Sequence, residues 1–169
     1  MLDPVLKKIV ASPVIIYTIR CCIGFLIGYK LYVYFPDFEL FWTMLSIILV
    51  ISPEEKDTRR LSIERFKSNF IGSAVAMVLL LFFEPTVYAI LAGVFITIVV
   101  CRLFNVMNMA RVALVALLII MVQPHQASMV EAPIYRFGSV AVGCVIGLLI
   151  VVITSMIFRP LKRKYGIPY

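Results

Sequence analysis

Six residues are the strongest candidates for a functional site, because each places a charge or a large aromatic ring within or beside apolar sequence. Charged side chains inside apolar segments are costly in a membrane and by default mark pathways for ions or substrates. Arginine and lysine attract anions, and the planar guanidinium can bind a carboxylate through two parallel hydrogen bonds. The chemistry that these residues indicate is anion coordination along a path, by Arg20, Lys30, Trp42, Arg65, Arg111 and Arg136.

Each of these residues also has a simpler interpretation, which the sequence leaves open. Arg20 lies about two turns into the first apolar segment, and it either coordinates an anion or extends its guanidinium to the aqueous interface. Lys30, ten residues further on, either lines the path or reaches outward. Arg65 and Arg136 either bind anions or form salt bridges with nearby acidic residues. Trp42 lies either in an aromatic vestibule or in the aromatic belt at the membrane interface.

Three of the arginines are expected at helix starts. A helix start has free N–H groups and a partial positive charge, so an arginine there strengthens an anion site. Arg65 and Arg136 are expected to open the third and sixth helices from opposite faces of the membrane. Arg111 is expected to open the short fifth helix, whereas Arg102 ends the fourth, where the helix dipole alone favours a cation.

Composition places the chain in a membrane. Of its 169 residues, 63% are hydrophobic and 15% are charged, and the mean hydropathy is +1.05. Soluble domains are about 45–50% apolar and about 25% charged, so the excess apolar surface must face lipid. The apolar segments recur as far as the C-terminus, so a cleaved signal peptide does not explain them. We expect a single transmembrane domain over residues 1–169, with no soluble module attached.

The apolar segments predict an all-α membrane protein with six transmembrane helices. Proline lacks an N–H donor and cannot continue a regular helix, and a proline follows most of the segments. The second and fifth segments are shorter than the roughly 20 residues of a typical span, so they either begin in the interface or thin the bilayer locally. The predicted helices cover about 13–35, 39–52, 67–83, 86–102, 109–123 and 134–159.

Basic residues fall mainly on one side of the predicted membrane. Cytoplasmic loops are enriched in lysine and arginine, and an N-terminus inside places 13 of the 16 basic residues there. We therefore predict that both termini are cytoplasmic. This bias also accounts for the net charge of +7, and no nucleic-acid partner is expected. The 13 residues are Lys7, Lys8, Lys56, Arg59, Arg60, Arg65, Lys67, Arg102, Arg111, Arg159, Lys162, Arg163 and Lys164.

The chain repeats itself at an offset of 71 residues. Each copy contains a short apolar helix, a proline, a polar elbow, an Arg-Phe pair and a glycine seven residues after the arginine. The elbows are expected at 54–66, on the cytoplasmic side, and at 125–135, on the periplasmic side. Three spans in each copy make the two copies insert in opposite senses, over about 13–83 and 86–159. Inverted repeats are typical of transporters. The matched pairs are Pro53 and Pro124, Ile63 and Ile134, Arg65 and Arg136, Phe66 and Phe137, Ser68 and Ser139, and Gly72 and Gly143.

Two segments carry a family resemblance, W-x9-SPEEKDTRRLSIERFKSNFIGS and IIMVQPHQASMVEAPIYRFGSVAVGCVIG. They resemble the membrane half of the fusaric acid resistance and aromatic acid exporter families, in which a Pro-ended helix, a polar elbow and an Arg-x-x-G-type helix start occur twice. The plant aluminium-activated malate channels are similar in fold. The resemblance implies a six-helix unit in the bacterial inner membrane that moves organic anions as a homo-oligomer.

No catalytic, metal or cofactor motif is present in the sequence. It contains no HExxH, no Gly-x-Ser-x-Gly and no Walker motif. The four cysteines have no metal-ligand spacing, and the predicted spans contain no acidic cluster. We expect neither an enzyme nor a bound cofactor or metal.

The sequence therefore predicts an inner-membrane transporter or channel subunit for organic, including aromatic, carboxylate anions. The alternative is a non-transporting membrane scaffold that assembles with a separately encoded soluble or periplasmic partner. On the transport hypothesis, alanine at Arg20 or Arg111 lowers anion flux in liposomes while leaving folding intact.

Overall fold

The computed structural model describes residues 12–36, 40–122 and 131–164, and within these ranges every regular element is helical. A short 3-10 turn, Met107–Met109, directly precedes the fifth α-helix. The predicted all-α class and the six predicted helices are confirmed. The helices are α1 Pro13–Tyr34, α2 Phe41–Val50, α3 Glu55–Phe82, α4 Val87–Leu103, α5 Ala110–Val122 and α6 Glu131–Lys164.

The six helices differ in their capacity to cross a membrane. By length and composition, three are long and apolar enough to do so: Pro13–Tyr34, Glu55–Phe82 and Glu131–Pro160. Helices α2 and α5 are short, as predicted, with 10 and 13 residues. Helix α4, with 17 residues, also falls short of a typical span. That all six helices cross the membrane remains a prediction.

The predicted elbow at 54–66 is wrong, because helix α3 already begins at Glu55. Hydropathy locates only the apolar part of a helix. The first part of α3 is polar but still helical. Glu55 and Asp57 lie in the first turn, where negative charge is favourable. Glu55 pairs with Arg59 one turn later at 3.3 Å, which supports the helix further. Arg65 is therefore the eleventh residue of α3 and does not open it.

Both ends of α6 also differ from the prediction. The helix begins at Glu131, so Arg136 is its sixth residue and does not open it. Pro133 lies in the first turn, where its missing N–H has no helical partner to lose. The predicted stop at Pro160 is wrong, because the helix continues through this proline to Lys164. One lost hydrogen bond is tolerated where the following residues resume helical geometry.

The chain divides into two compact units. The first comprises Met1–Ser62 and Val142–Tyr169, and within the described residues it holds α1, α2, the start of α3 and the later part of α6. The second comprises Ile63–Ala141 and holds the rest of α3, α4, α5 and the start of α6. Each unit therefore contains one helix of 10 or 13 residues.

In the first unit, glycines of α1 allow α2 to approach closely. A Cβ atom on Gly24 would lie 2.8 Å from Cγ2 of Ile47, and one on Gly28 would lie 3.0 Å from Met44. Both distances are shorter than ordinary van der Waals contact, so glycine is needed for this spacing. The Gly24-x-x-x-Gly28 motif therefore acts as a packing signal.

Helix α6 packs on α2 through the second motif of this kind. A Cβ on Gly143 would lie 2.6 Å from both Cβ of Ser46 and the carbonyl oxygen of Thr43. A Cβ on Gly147 would lie 3.2 Å from the carbonyl oxygen of Ile47. The short helix α2 is thus contacted at close range by glycines of both α1 and α6.

The second unit repeats this contact with the residue that the sequence repeat matches to Gly143. A Cβ on Gly72 of α3 would collide with the carbonyl oxygen of Ala113 and lie 2.9 Å from Cβ of Ala116. As in the first unit, the contacted residues are three apart on the short helix, and one contributes a carbonyl oxygen and the other a Cβ. The sequence repeat therefore has a counterpart in packing, while its inverted insertion remains a prediction.

A left-handed turn ends α4. Asn105 has φ of 54°, a conformation that asparagine tolerates better than most residues. Its N–H donates to the carbonyl of Arg102, and the N–H of Val106 donates to that of Cys101 at 2.8 Å. These two bonds form a Schellman cap and satisfy carbonyls that the helix end would otherwise leave exposed.

The glycine contacts predict opposite effects of one substitution at two positions in α6. Gly143→Ala should lower the free energy of unfolding by about 1–3 kcal/mol, because the new methyl overpacks the contact with α2. Gly138→Ala is the control, since a Cβ there has nothing within 4 Å, and it should be neutral or stabilise by up to about 1 kcal/mol. Thermal unfolding in detergent measures both variants, and equal effects would contradict the close approach.

Candidate functional site

The six candidate residues lie in very different surroundings. Arg20 and Arg136 are buried, with 4% and 3% of their surface exposed. Arg65 and Trp42 are half-buried, and Lys30 and Arg111 are exposed. Burial therefore singles out two arginines, one in each compact unit.

Arg20 lies on the buried face of α1. That face consists of residues at every fourth position, Ile16, Arg20, Gly24 and Gly28, which a helix places one above another. The interpretation of Arg20 as a side chain that reaches the aqueous interface does not fit its burial. The guanidinium points into the protein instead.

Four hydrogen bonds hold the Arg20 guanidinium. Its Nε donates to Oγ1 of Thr154 at 2.9 Å, and its Nη2 donates to Oγ of Ser155 at 2.8 Å. Its Nη1 donates to the carbonyl oxygens of Ser52 and Pro53, at 3.0 and 2.8 Å. Arg20 thereby links α1 to α6 and to the turn between α2 and α3.

Thr58 completes this turn from the first part of α3. Its hydroxyl accepts from the N–H of Ser52 at 3.0 Å and donates to the carbonyl of Glu54 at 3.2 Å. Thr58 is fully buried. Since Arg20 takes the carbonyls of Ser52 and Pro53 and proline has no N–H, the polar backbone groups of Ser52 and Pro53 are all satisfied.

A cavity of about 360 Å³ opens beside Arg20. All of its lining residues belong to the first unit. Three of them are cationic and two are carboxylates, which leaves one net positive charge, and the others provide an apolar wall and a hydroxyl. The lining residues are Pro13, Ile16, Arg20, Pro53, Glu54, Glu55, Lys56, Ser155, Phe158 and Arg159.

The carboxylate of Glu55 lies between two arginines at this cavity. One oxygen is 2.7 Å from Nη2 of Arg159, and the other is 3.3 Å from Nη2 of Arg59. The Glu55 side chain is 18% exposed, whereas those of Arg159 and Arg59 are 60% and 64% exposed. The cavity therefore already contains a carboxylate bound to guanidinium groups.

The two repeated Arg-Phe pairs meet in the second unit. The rings of Phe66 and Phe137 are in edge contact, with centroids 5.1 Å apart, and Phe70 also contacts Phe137 at 5.4 Å. Because Arg65 and Arg136 directly precede two of these rings, the expectation that they stand at opposite membrane faces is wrong. Neither lies among the first four residues of its helix, whose N–H groups are free.

Lys30 and Trp42 share the first unit with Arg20 but neither bond it nor line its cavity, and Arg111 belongs to the second unit. Lys30 is exposed near the end of α1. Arg111 is exposed as the second residue of α5, which confirms its predicted place at a helix start. Trp42 is half-buried and packs edge-on against Phe41, with centroids 5.3 Å apart. Pro124 and the start of the predicted elbow at 125–135 lie outside the described residues.

Sequence reasoning missed the partners of Arg20. Thr154 and Ser155 form an adjacent hydroxyl pair inside the apolar run of α6, and this pair is a signal that the sequence offered. Glu55 and Arg159 were interpreted as loop and terminal charges, and no local pattern indicates a contact across 104 residues. Within the described part of the chain no group of acidic, histidine and cysteine residues could hold a metal ion.

Comparison with known proteins identifies a family. Residues 18–150 match the sequence model of a family described as fusaric acid resistance protein-like. No curated protein and no solved structure matches the chain.

The bonds of Arg20 change the expectation for its alanine variant, since removal of this side chain would leave buried acceptors without a donor. Thr154→Val gives a narrower test. It should lower the free energy of unfolding by about 1–3 kcal/mol, because an N–H of a buried cation loses its acceptor. Thr18→Val is the control, since Thr18 is exposed and bonds only the carbonyl of Val14; its effect should stay within about 0.5 kcal/mol. Thermal unfolding measures both, and equal effects would contradict a structural role for the Arg20 bonds.

Proposed function

The chain belongs to the fusaric acid resistance protein-like family, and from this premise we propose that it is a transporter or channel subunit for organic carboxylate anions, including aromatic ones. The family match extends over most of the chain and makes it a membrane transport-related protein in contact with the lipid bilayer. The substrate class rests on the chemistry of the cavity beside Arg20.

The observation that carries this proposal is the charge of Arg20. The four partners of its guanidinium are two hydroxyls and two carbonyls, all of them neutral. Within the described residues no carboxylate oxygen lies within 4 Å of it. The carboxylate of Glu55 lines the same cavity but is bonded to Arg159 and Arg59, so Arg20 has no directly bonded counter-charge. A buried cation in that position is unfavourable in a low-dielectric surrounding, and an anion in the adjoining cavity would stabilise it.

The lining of the cavity suits an anion with an apolar body. Lys56 and Arg159 add positive charge at the rim, and an arginine fork matches the geometry of a carboxylate. Ile16 and Phe158 provide apolar wall for a hydrocarbon or aromatic part. A volume of about 360 Å³ is within the range of small-molecule sites.

Several further features complete the proposal. The six helices span the bacterial inner membrane as two inverted three-helix repeats, with both termini in the cytoplasm. The equivalent contacts of Gly72 and Gly143 support the repeat. The transporting form is a homo-oligomer, and neither catalysis nor a cofactor is part of the mechanism.

A second function, that of a membrane scaffold for a separate soluble or periplasmic partner, is favoured by one observation. Four of the five N–H groups of Arg20 are already bonded within the protein. On this hypothesis Arg20 serves the fold alone, and the cavity does not pass or bind anions.

Flux of benzoate and succinate into proteoliposomes tests the transport proposal. Lys56→Gln should lower the initial rate about two- to fivefold, because removal of one charge at the cavity rim is worth up to about 1 kcal/mol near a protein surface. Lys67→Gln is the control, as Lys67 is an exposed lysine of the same helix that does not line the cavity, and its rate should be unchanged.

The absence of benzoate and succinate flux from the unmodified protein would refute transport and favour the scaffold function. An equal loss of rate in the Lys56 and Lys67 variants would instead refute the role of the cavity beside Arg20, because the cavity would then have no special part in flux.

A further inference from the structure

Glu55 differs from the other acidic residues at its end of α3. Its carboxylate is mostly buried and bonded to Arg159 on a distant helix, at 2.7 Å. Glu54 is exposed and makes no ion pair within the described residues, although it lines the same cavity. Asp57 pairs with Arg60 on its own helix at 3.8 Å. Glu55 is thus the acidic residue that places a carboxylate among cationic groups of the cavity.

The ion pairs of Glu55 are of a kind that an entering anion can replace. The two arginine partners of Glu55 are mostly exposed, so water and salt screen their attraction to the carboxylate. Both guanidinium groups stay hydrated without Glu55, so their release from it costs little. The neutral bonds of Arg20, in contrast, are buried or partly buried and link three parts of the first unit.

We propose that Glu55 is an internal competitor that supplies the carboxylate of the anion site when the cavity is empty and that an entering organic anion displaces it from Arg159. This inference rests on the proposed function, because it concerns the same cavity. The new element is that a carboxylate of the protein, that of Glu55, sets the affinity for a ligand that also carries a carboxylate.

The charges around the cavity determine the direction of the effect. Arg20 comes from α1, and Glu54 comes from the turn before α3. Glu55, Lys56 and Arg59 come from α3, and Arg159 comes from α6. With Glu55 in place the lining has one net positive charge, and without it the lining has two. Removal of its charge should therefore strengthen anion binding, whereas removal of a cation weakens it.

Binding of benzoate to the full chain in nanodiscs, measured by isothermal titration calorimetry, tests the competition. Glu55→Gln keeps the size of the side chain and removes its charge, and it should lower the Kd about five- to tenfold. Asp57→Asn removes the same charge from a residue of the same helix that does not line the cavity, and it should change the Kd less than about twofold, because a charge outside the cavity is screened by water and salt. Glu55→Asp keeps the charge but shortens the reach to Arg159, and it should lower the Kd as well.

A double-mutant cycle of Glu55→Gln and Arg159→Gln gives a readout that does not depend on flux. The coupling between the two positions in thermal unfolding should be present without benzoate and lost at saturating benzoate. If Glu55→Gln does not fold, the same cycle with Glu55→Asp replaces it. A coupling that benzoate leaves unchanged would refute displacement.

The outcomes separate this inference from the proposed function. Flux with equal benzoate affinities in the Glu55 and Asp57 variants would overturn the role of Glu55 and leave transport standing. A tighter Glu55→Gln complex in a protein without flux would support the competition and overturn transport. No benzoate binding in any variant would overturn the inference outright.

Discussion

The backbone carbonyls of the turn between α2 and α3 impose the constraint on which the first unit depends. In a membrane, a polar backbone group without a partner costs several kcal/mol. Ser52 and Pro53 end a short helix and direct their carbonyls toward α1, where Arg20 donates to both. The same guanidinium donates to hydroxyls of Thr154 and Ser155 on α6. One side chain therefore fixes how two helices and a turn meet.

This solution leaves a charge in the protein interior. Neutral acceptors satisfy the N–H groups of Arg20 without neutralising it, so the position needs an anion in its surroundings. The cavity beside Arg20 and the carboxylate of Glu55 both follow from that need. Arg20 therefore serves both the fold and the proposed transport, because it bonds the turn and also adds positive charge to the cavity.

The packing of the short helices α2 and α5 depends on glycines of the neighbouring helices. Helices of this length bury little surface unless their neighbours come close. Gly143 and Gly72 make equivalent contacts with these two helices, one in each unit. The equivalence does not extend to charge. The buried face of α4 consists of Ala89, Gly93, Thr97 and Cys101 and contains no counterpart of Arg20. The packing of the two short helices is therefore duplicated without a duplicate of Arg20 on α4.

By itself, the sequence determined the features that depend on local composition. Hydropathy and proline positions predicted six helices and the shortness of α2 and α5, and the apolar surroundings of Arg20 marked it as exceptional. Helix bounds in polar sequence were missed at Glu55 and Pro160, because hydropathy reports compatibility with lipid and not helicity. Only the tertiary structure decided which groups meet. Arg20 bonds residues up to 135 positions away, Glu55 reaches Arg159, and Phe66 touches Phe137. Such contacts depend on how the helices pack, and no local pattern encodes that packing.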